Sequence, residues 1–276
     1  MRRQWINHYK NAGFEENEAA AEVDFAIEAL TGYLRTDLLK GAQINDFDCE
    51  KIANTINERI KTHRPLAQLL GCAFFGGKKF KVNENTLIPR PETELLVQKS
   101  LKLIKKYNYK QVLDIGTGSG CIACLIALDS DAQVLGVDIS TGALRCALDN
   151  AMGMGLMNRA LFRKSNLFSN IQEKFDLIVS NPPYIPLSEK ENLQIEVRDF
   201  DPATALFTED EKGIEFYEKI IKIAPSHLNN GGSIAFELGI GQFDDVSRLF
   251  NANGFIDIEI YKDLSGIERV ITAKYP

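Results

Sequence analysis

Beyond residue 110 the chain alternates short apolar runs with helical segments, a pattern that predicts an α/β domain with a doubly wound seven-stranded sheet. Two further observations complete the expected architecture. The first third carries helical periodicity and no strand signal. Between the two regions, Cys72-Ala73-Phe74-Phe75 and Lys78-Lys79-Phe80-Lys81-Val82 flank a Gly76-Gly77 turn, which predicts a β-hairpin. The expected division is a small helical N-terminal domain over 1–70, a hairpin linker over 71–90 and a Rossmann-like α/β domain over 91–276.

In the helical part, Glu15 to Tyr33 is rich in Ala, Glu and Leu, with Val23, Ile27 and Leu30 on one stripe. Leu34 to Gln43 reads as a break or a short helix. Asn45 to Lys61 forms a second long amphipathic segment, with Asn45 or Asp46 as N-cap and Ile52, Ile56 and Ile60 one turn apart. Pro65 ends it. In Ile88-Pro89-Arg90-Pro91-Glu92-Thr93-Glu94, Pro91 suits a first helical position, and the two glutamates suit a helix N-terminus.

Strands are expected at Val112–Ile115, Gln133–Ile139, Ala160–Lys164, Phe175–Ser180, Ser233–Leu238, Phe255–Tyr261 and Glu268–Lys274. The link between the last two is short, so they should pair antiparallel.

Composition bounds the rest. The 276 residues are 45% apolar and 25% charged, ordinary for a globular protein, with a net charge of -6. That balance counts against a protein that grips duplex nucleic acid by its phosphates. Five scattered cysteines do not make a disulfide framework. The N-terminus does not read as a signal peptide, and no apolar run reaches membrane-spanning length. The expected setting is the reducing cytoplasm, with the chain acting as a monomer away from membranes. His8, His63 and His227 show no catalytic or metal-ligating spacing, and no metal site is expected.

Two strand ends carry the chemistry. The first is Asp114-Ile115-Gly116-Thr117-Gly118-Ser119-Gly120, a glycine turn between a strand and a helix beginning near Ser119, where backbone must bend sharply or approach a ligand. A dinucleotide fingerprint spaces its glycines differently: Cys121 stands where its third glycine would be. This favours a ligand without a pyrophosphate. Asp138, eighteen residues past Gly120 at the next strand end, is placed to accept ribose hydroxyls, unless it caps the following helix in place of Ser140. Asn166, at the third strand end, is either an acceptor for an adenine amino group, with Leu167 or Phe168 against the ring, or a polar loop residue beside a buried neighbour, and the sequence alone favours neither. Cys121 and Cys124 have redox-pair spacing but no further ligands, and read as small core residues.

The second strand end is Asn181-Pro182-Pro183-Tyr184, closing the apolar run Phe175–Ser180 beside the topological switch point. The Asn181 side-chain carbonyl and the Pro182 main-chain carbonyl offer two acceptors, fixed by consecutive prolines. Two acceptors aimed at one NH2 group suit the methylation of a planar nitrogen, and Tyr184 offers a flat face to it. The motif does not choose between a glutamine side chain, adenine N6 and guanine N2.

Together, Asp114 to Gly120, Asn181 to Tyr184 and Ile88 to Glu94 resemble the peptide-chain release factor N5-glutamine methyltransferases. The likeness extends to His63 through Gly71 with Phe74-Phe75-Gly76, to Glu196 through Pro202, to Phe236 through Gly239 with Gln242, and to Asp263 through Gly266 before Arg269. The resemblance implies an S-adenosyl-L-methionine-dependent methyltransferase sheet. Its cofactor-binding residues would be Asp114, Gly116, Thr117, Gly118, Ser119, Gly120, Asp138, Asn166, Leu167 and Asn181. Catalysis would fall to Asn181, Pro182 and Tyr184, and substrate contact to these with Pro183 and Arg90. The implied reaction methylates the glutamine of the Gly-Gly-Gln motif in class-one release factors, with the N-terminal helices gripping the protein substrate. Asn166 stands where the family usually carries Asp, and Asp201 where Glu is usual. The alternatives are a DNA adenine-N6 or ribosomal-RNA guanine-N2 methyltransferase, disfavoured by the acidic balance, and a non-enzymatic adaptor, disfavoured by the intact loop and clamp.

Overall fold

The computed structural model describes residues 1–276 and divides into two compact units. One comprises Met1–Cys72 with Gln194–Phe200; the other comprises Ala73–Leu193 with Asp201–Pro276.

The first unit is helical: α1 (Arg2–Asn11), α2 (Glu16–Thr31), α3 (Arg35–Leu39), α4 (Asp46–Thr62) and α5 (Leu66–Leu70). Its core gathers Ile6, Tyr9, Val23, Ile27, Ile52, Ile56 and Leu66, the apolar stripes of the amphipathic segments. Asn45 caps α4, its side-chain oxygen accepting from the Asp48 N–H at 2.9 Å. The α1 helix was not expected as a separate element, because its sequence is mostly polar.

The later segment Gln194–Phe200, which holds the short helix Ile195–Phe200, belongs to this unit as well. Arg59 explains why. Its side chain is 2% exposed and donates to Glu22 at 3.0 Å and to Glu196 at 3.0 Å. Gln68 adds a hydrogen bond from Nε2 to the Phe200 carbonyl at 2.8 Å. A buried guanidinium needs paired carboxylates, and one of them is supplied from far along the chain. The sequence division at residue 70 did not include this segment.

The second unit starts one residue into the hairpin of β1 (Cys72–Phe75) and β2 (Lys78–Lys81). Phe75 and Phe80 are buried in the main apolar core, and the Lys81 N–H donates to Asn150 Oδ1 at 2.7 Å. The hairpin is thus part of this unit rather than a separate linker. The helix expected to start at Pro91 begins two residues later, as α6 (Thr93–Tyr107); Arg90, Pro91 and Glu92 form a tight turn whose carbonyls accept from the N–H groups three residues on.

Then come β3 (Gln111–Ile115), α7 (Cys121–Asp129), β4 (Gln133–Asp138), α8 (Thr141–Gly153), β5 (Ala160–Lys164) and β6 (Phe175–Ser180). After β6 lie the two-residue strands β7 (Ile185–Pro186) and β8 (Phe207–Thr208), which pair in parallel, and the short helix Ala203–Leu206. The chain closes with a helix at Glu215–His227, β9 (Leu228–Glu237), a helix at Phe243–Ala252, β10 (Ile256–Lys262) and β11 (Glu268–Lys274). The β9 strand starts five residues earlier than expected, following its helix directly.

The seven-stranded sheet runs β10-β11-β9-β6-β3-β4-β5. Strands β9, β6, β3, β4 and β5 are parallel; β11 lies antiparallel between β9 and β10. The chain runs outward from β3 to β5 and returns to β6 on the other side of β3. The switch point is therefore the gap between the ends of β3 and β6, where Ile115 registers with Ser180. Ser180 Oγ donates to the Ile115 carbonyl at 2.7 Å and pins the two ends side by side.

Candidate active site

A cavity of about 420 Å³ opens at this switch point. Its walls come from the glycine loop after β3, the end of β4, the loop after β5, the Asn181–Pro183 turn after β6 and the segment around Pro89 and Arg90.

The glycine loop takes its shape from backbone that other residues rarely adopt. Gly116, Gly118 and Gly120 all have positive φ, at 73, 55 and 76°. A Cβ at Gly120 would also stand 2.9 Å from the Ala147 Cβ, so the start of α7 packs tightly on α8 only without a side chain there. Asp138 ties the loop to β4: its carboxylate accepts from the Gly118 N–H at 2.9 Å and from the Ser140 N–H at 2.8 Å. Burial raises its pKa from the ordinary aspartate value, opposed by those N–H donors. Ser140 caps α8 through its own hydroxyl, at 3.2 Å from the Ala143 nitrogen, which leaves Asp138 facing the cavity rather than serving as the cap.

Past β5, Asn166 and Leu167 line the cavity. Leu167 holds φ at 49°, a strained left-handed conformation for a leucine. Directly after β4, Ile139 lines the same cavity and is 54% exposed. Phe168, the other expected ring partner, points elsewhere: it is buried and stacks on His227 with centroids 4.7 Å apart.

At the clamp, Asn181, Pro182 and Pro183 line the cavity. The Asn181 Nδ2 donates to Thr93 Oγ1 at 3.3 Å, so the amide is held by its nitrogen end. Arg90 lines the cavity too, but its guanidinium is committed to Asp201 at 2.6 Å, whose side chain is fully buried.

Three residues expected at the ligand are not on the cavity wall. Asp114 is 0% exposed beneath the loop, where Thr117 Oγ1 donates to it at 2.6 Å; burial pushes its pKa up to about 7. It shapes the loop from below. Gly120 faces α8. Tyr184 packs against the second apolar core, beside Gly239 and Gln242, and burial pushes its hydroxyl up to about 12. Thr117, Ser119 and the other loop residues do reach the cavity.

Sequence reasoning missed Thr93, Asn85, Ser165, Phe216 and Lys219, which also line it. Thr93 lies within the Ile88–Glu94 stretch, which by itself reads only as a helix start; the other four carry no local motif, and topology brings them together. Cys121 and Cys124 are buried in the core as expected, with burial pushing both thiols up to about 12.

Comparison with known proteins now decides the family. Residues 91–210 match the methyltransferase small domain. A release factor glutamine methyltransferase from Geobacter sulfurreducens is 38% identical, over 97% of this chain and 93% of that protein. One from Fusobacterium nucleatum is 38% identical, over 88% of this chain and 72% of its relative.

The chain belongs to the release factor glutamine methyltransferase family.

It is accordingly a methyltransferase, with the Rossmann-like sheet of the class. The fold also reaches further afield. The catalytic domain of hMettl16, solved with an RNA hairpin, superposes with a TM-score of 0.60 at 15% identity, covering 90% of this chain and 91% of that one. At such low identity the likeness is one of fold alone.

Proposed function

We propose that this family member transfers a methyl group from S-adenosyl-L-methionine to the side-chain amide nitrogen N5 of the glutamine in the Gly-Gly-Gln motif of class-one peptide-chain release factors. The observation that carries the reading is the Asn181–Pro183 turn opening onto the same cavity as the glycine loop and Asp138.

The residues around the cavity fit a nucleoside-bearing sulfonium ligand. Asp138 offers a carboxylate to vicinal hydroxyls while keeping its backbone bonds, because each oxygen has a second lone pair. Ile139 and Leu167 supply apolar faces for a flat ring, and Asn166 an acceptor for its amino group. Gly116, Thr117, Gly118 and Ser119 shape the wall that meets the rest of the molecule. When bound, the cofactor supplies an electrophilic methyl on sulfur.

What remains for the chain is the nitrogen. An amide lone pair is delocalised into its carbonyl, so the nitrogen must be held where it can pyramidalise. The Asn181 side-chain oxygen and the Pro182 carbonyl each receive one N–H of the substrate. They orient the lone pair and stabilise the positive charge that develops on it. No strong base is needed, since the alkylated nitrogen is acidic enough to lose its proton readily. Tyr184 supports this turn from behind, and Pro183 walls the substrate side. Arg90, neutralised by Asp201, frames the entrance. The helical unit is the part we assign to gripping the release factor. We place the enzyme in the cytoplasm as a monomer; no helix is long and apolar enough to cross a membrane.

The test is transfer of labelled methyl from S-adenosyl-L-methionine to release factor, to DNA and to ribosomal RNA in separate reactions. Label on release factor alone is the expected result. Label on DNA or RNA but not on release factor would overturn the choice of substrate, and binding of the cofactor with no transfer anywhere would favour an adaptor.

A further inference from the structure

Glu237 ends β9 and stands where the sheet meets the clamp. Phe236 registers with Ser180, so the next residue of each strand, Glu237 and Asn181, emerge together. Side chains alternate along a strand, and the alternation puts Phe236 in the second apolar core and Glu237 on the opposite face, toward the start of α6. There it is 2% exposed. Carboxylates are almost never buried to that degree without a cationic partner. No lysine, arginine or histidine forms an ion pair with it; Arg269, the nearest cation in effect, is engaged by Asp263 at 3.2 Å. One carboxyl oxygen, Oε2, has no hydrogen-bond partner. The polar side chains beside the carboxyl are those of Thr93 and Asn181, which draw its pKa down, and Asn181 Nδ2 itself donates to Thr93 Oγ1 at 3.3 Å.

We propose that Glu237, together with Thr93, is a positioning residue for methyl transfer: it holds the Asn181 amide by the NH2 end and so leaves the Asn181 carbonyl oxygen directed at the reacting nitrogen. The proposal rests on the clamp reading above and deepens it. A primary amide has two donor hydrogens and one acceptor oxygen. One hydrogen sits on Thr93 Oγ1 at 3.3 Å, and the Glu237 carboxyl, with Oε2 unpartnered, stands beside the same NH2 to take the other, which opposes a flip that would present the nitrogen to the substrate. That orientation is the one the chemistry requires, because a flipped amide would set a donor against the substrate N–H.

The carboxylate has a second effect. An ionised acceptor on the N–H side of an amide polarises it and strengthens the oxygen as an acceptor, the more so in a dry site. Glu237 is poised for this. Burial pushes it up to about 7, Thr93, Arg269 and Asn181 pull it down, and Glu92 adds in the raising direction. The other titratable groups near it are Tyr184 and Tyr217, both held neutral by burial; the Tyr217 hydroxyl donates to the Glu237 main-chain oxygen at 2.8 Å. The transfer step should therefore accelerate as Glu237 ionises.

The experiment uses the full chain, Glu237→Gln and Thr93→Val, each checked for cofactor Kd and thermal midpoint. The first readout needs no turnover: the side-chain amide resonances of Asn181 in 15N–1H spectra between pH 5.5 and 8.5. They should shift with an apparent pKa near that of Glu237 in the wild type and stay put in Glu237→Gln. The second is single-turnover methylation of release factor. Both variants should lose about tenfold or more in rate with KM within twofold of wild type, and Glu237→Gln should also lose the rise across neutral pH. Asn181 resonances that ignore pH in the wild type, or variants with wild-type rate and pH profile, would overturn the proposal. If Glu237→Gln does not fold, the wild-type titration and Thr93→Val decide it. A wild type that leaves release factor unlabelled while its Asn181 resonances still titrate would sink the substrate assignment and leave the positioning role standing.

Discussion

Gln242 Nε2 donates to the Tyr184 carbonyl oxygen at 3.1 Å, and the same side chain accepts from the Gly239 N–H at 2.9 Å through Oε1. Nε2 also reaches the carbonyls of Lys212 and Gly213, at 3.0 and 3.1 Å. One buried glutamine thus fastens the end of the clamp to the turn after β9 and to the loop before the Glu215–His227 helix. Gly213 makes the fit possible. Its φ is +70°, and a Cβ there would collide with the Tyr184 carbonyl and sit 2.6 Å from Gln242 Nε2. Gly213→Ala is expected to cost at least about 2 kcal/mol of stability and to slow methylation, because relief of the overlap must displace Tyr184. Urea unfolding together with kcat measures both; an unchanged midpoint and rate would show that the loop yields freely.

Asn181→Ala should separate binding from chemistry. The substitution removes one acceptor of the substrate NH2 and leaves the glycine loop and Asp138 untouched. Cofactor Kd should stay within a few-fold of wild type while kcat falls by about a hundredfold or more, as for loss of a single oriented transition-state contact. Calorimetric titration and single-turnover rates report the two quantities, and a variant turning over at the wild-type rate would dispose of the clamp.

Burial of Asp114 predicts a pH dependence of stability. The folded state holds its proton up to about pH 7, whereas the ordinary value is 3.8. Between those values the folded state binds more protons than the unfolded one, so the stability from this group is full below pH 3.8 and is lost as pH rises through 7. Asp114→Asn stays neutral throughout. The thermal midpoint of wild type minus that of Asp114→Asn should therefore fall from pH 4 to pH 7 and level off above. A difference that rises over this range, or does not change, would contradict the assignment.

Removing Arg59 should leave Glu22 and Glu196 facing each other with no cation between them. Breaking a buried ion pair from one side is strongly destabilising, and because both carboxylates are partly exposed the expected cost of Arg59→Met is about 3 kcal/mol. Amides of Gln194–Phe200 should exchange faster with solvent in the variant, the sign that this segment has lost its anchor. Unaltered exchange there would assign the anchoring to Gln68 alone.

The sequence was most legible where local chemistry determines local structure. Strands Ala160–Lys164 and Phe175–Ser180 appear with the expected bounds, the second because Leu177, Ile178 and Val179 make an apolar run that the Asn181-Pro182 turn stops. The glycine loop and Asn181–Pro183 turn were readable because glycine and proline act on their own backbone. What escaped depends on partners distant in sequence. Thr93 and Glu237 reach Asn181 only once α6, β6 and β9 are assembled. Tyr184 looked like a substrate platform because an aromatic beside a clamp invites that reading, yet its ring packs against the second core and is absent from the cavity wall. Asp114 was read as a ligand contact because it precedes the loop, when its position on β3 places it under the loop.

The segment Gln194–Phe200 has a consequence for how the protein can be dissected. The chain crosses between its two units three times, after Cys72, after Leu193 and after Phe200. Deleting the first 72 residues would not yield a clean catalytic fragment: it would strand a stretch whose guanidinium and amide anchors had been removed with the deletion, immediately ahead of the carboxylate that neutralises Arg90. A shortened enzyme that behaves poorly would then report an orphaned insertion, and a fair trimming would have to bridge residues 193 and 201 as well.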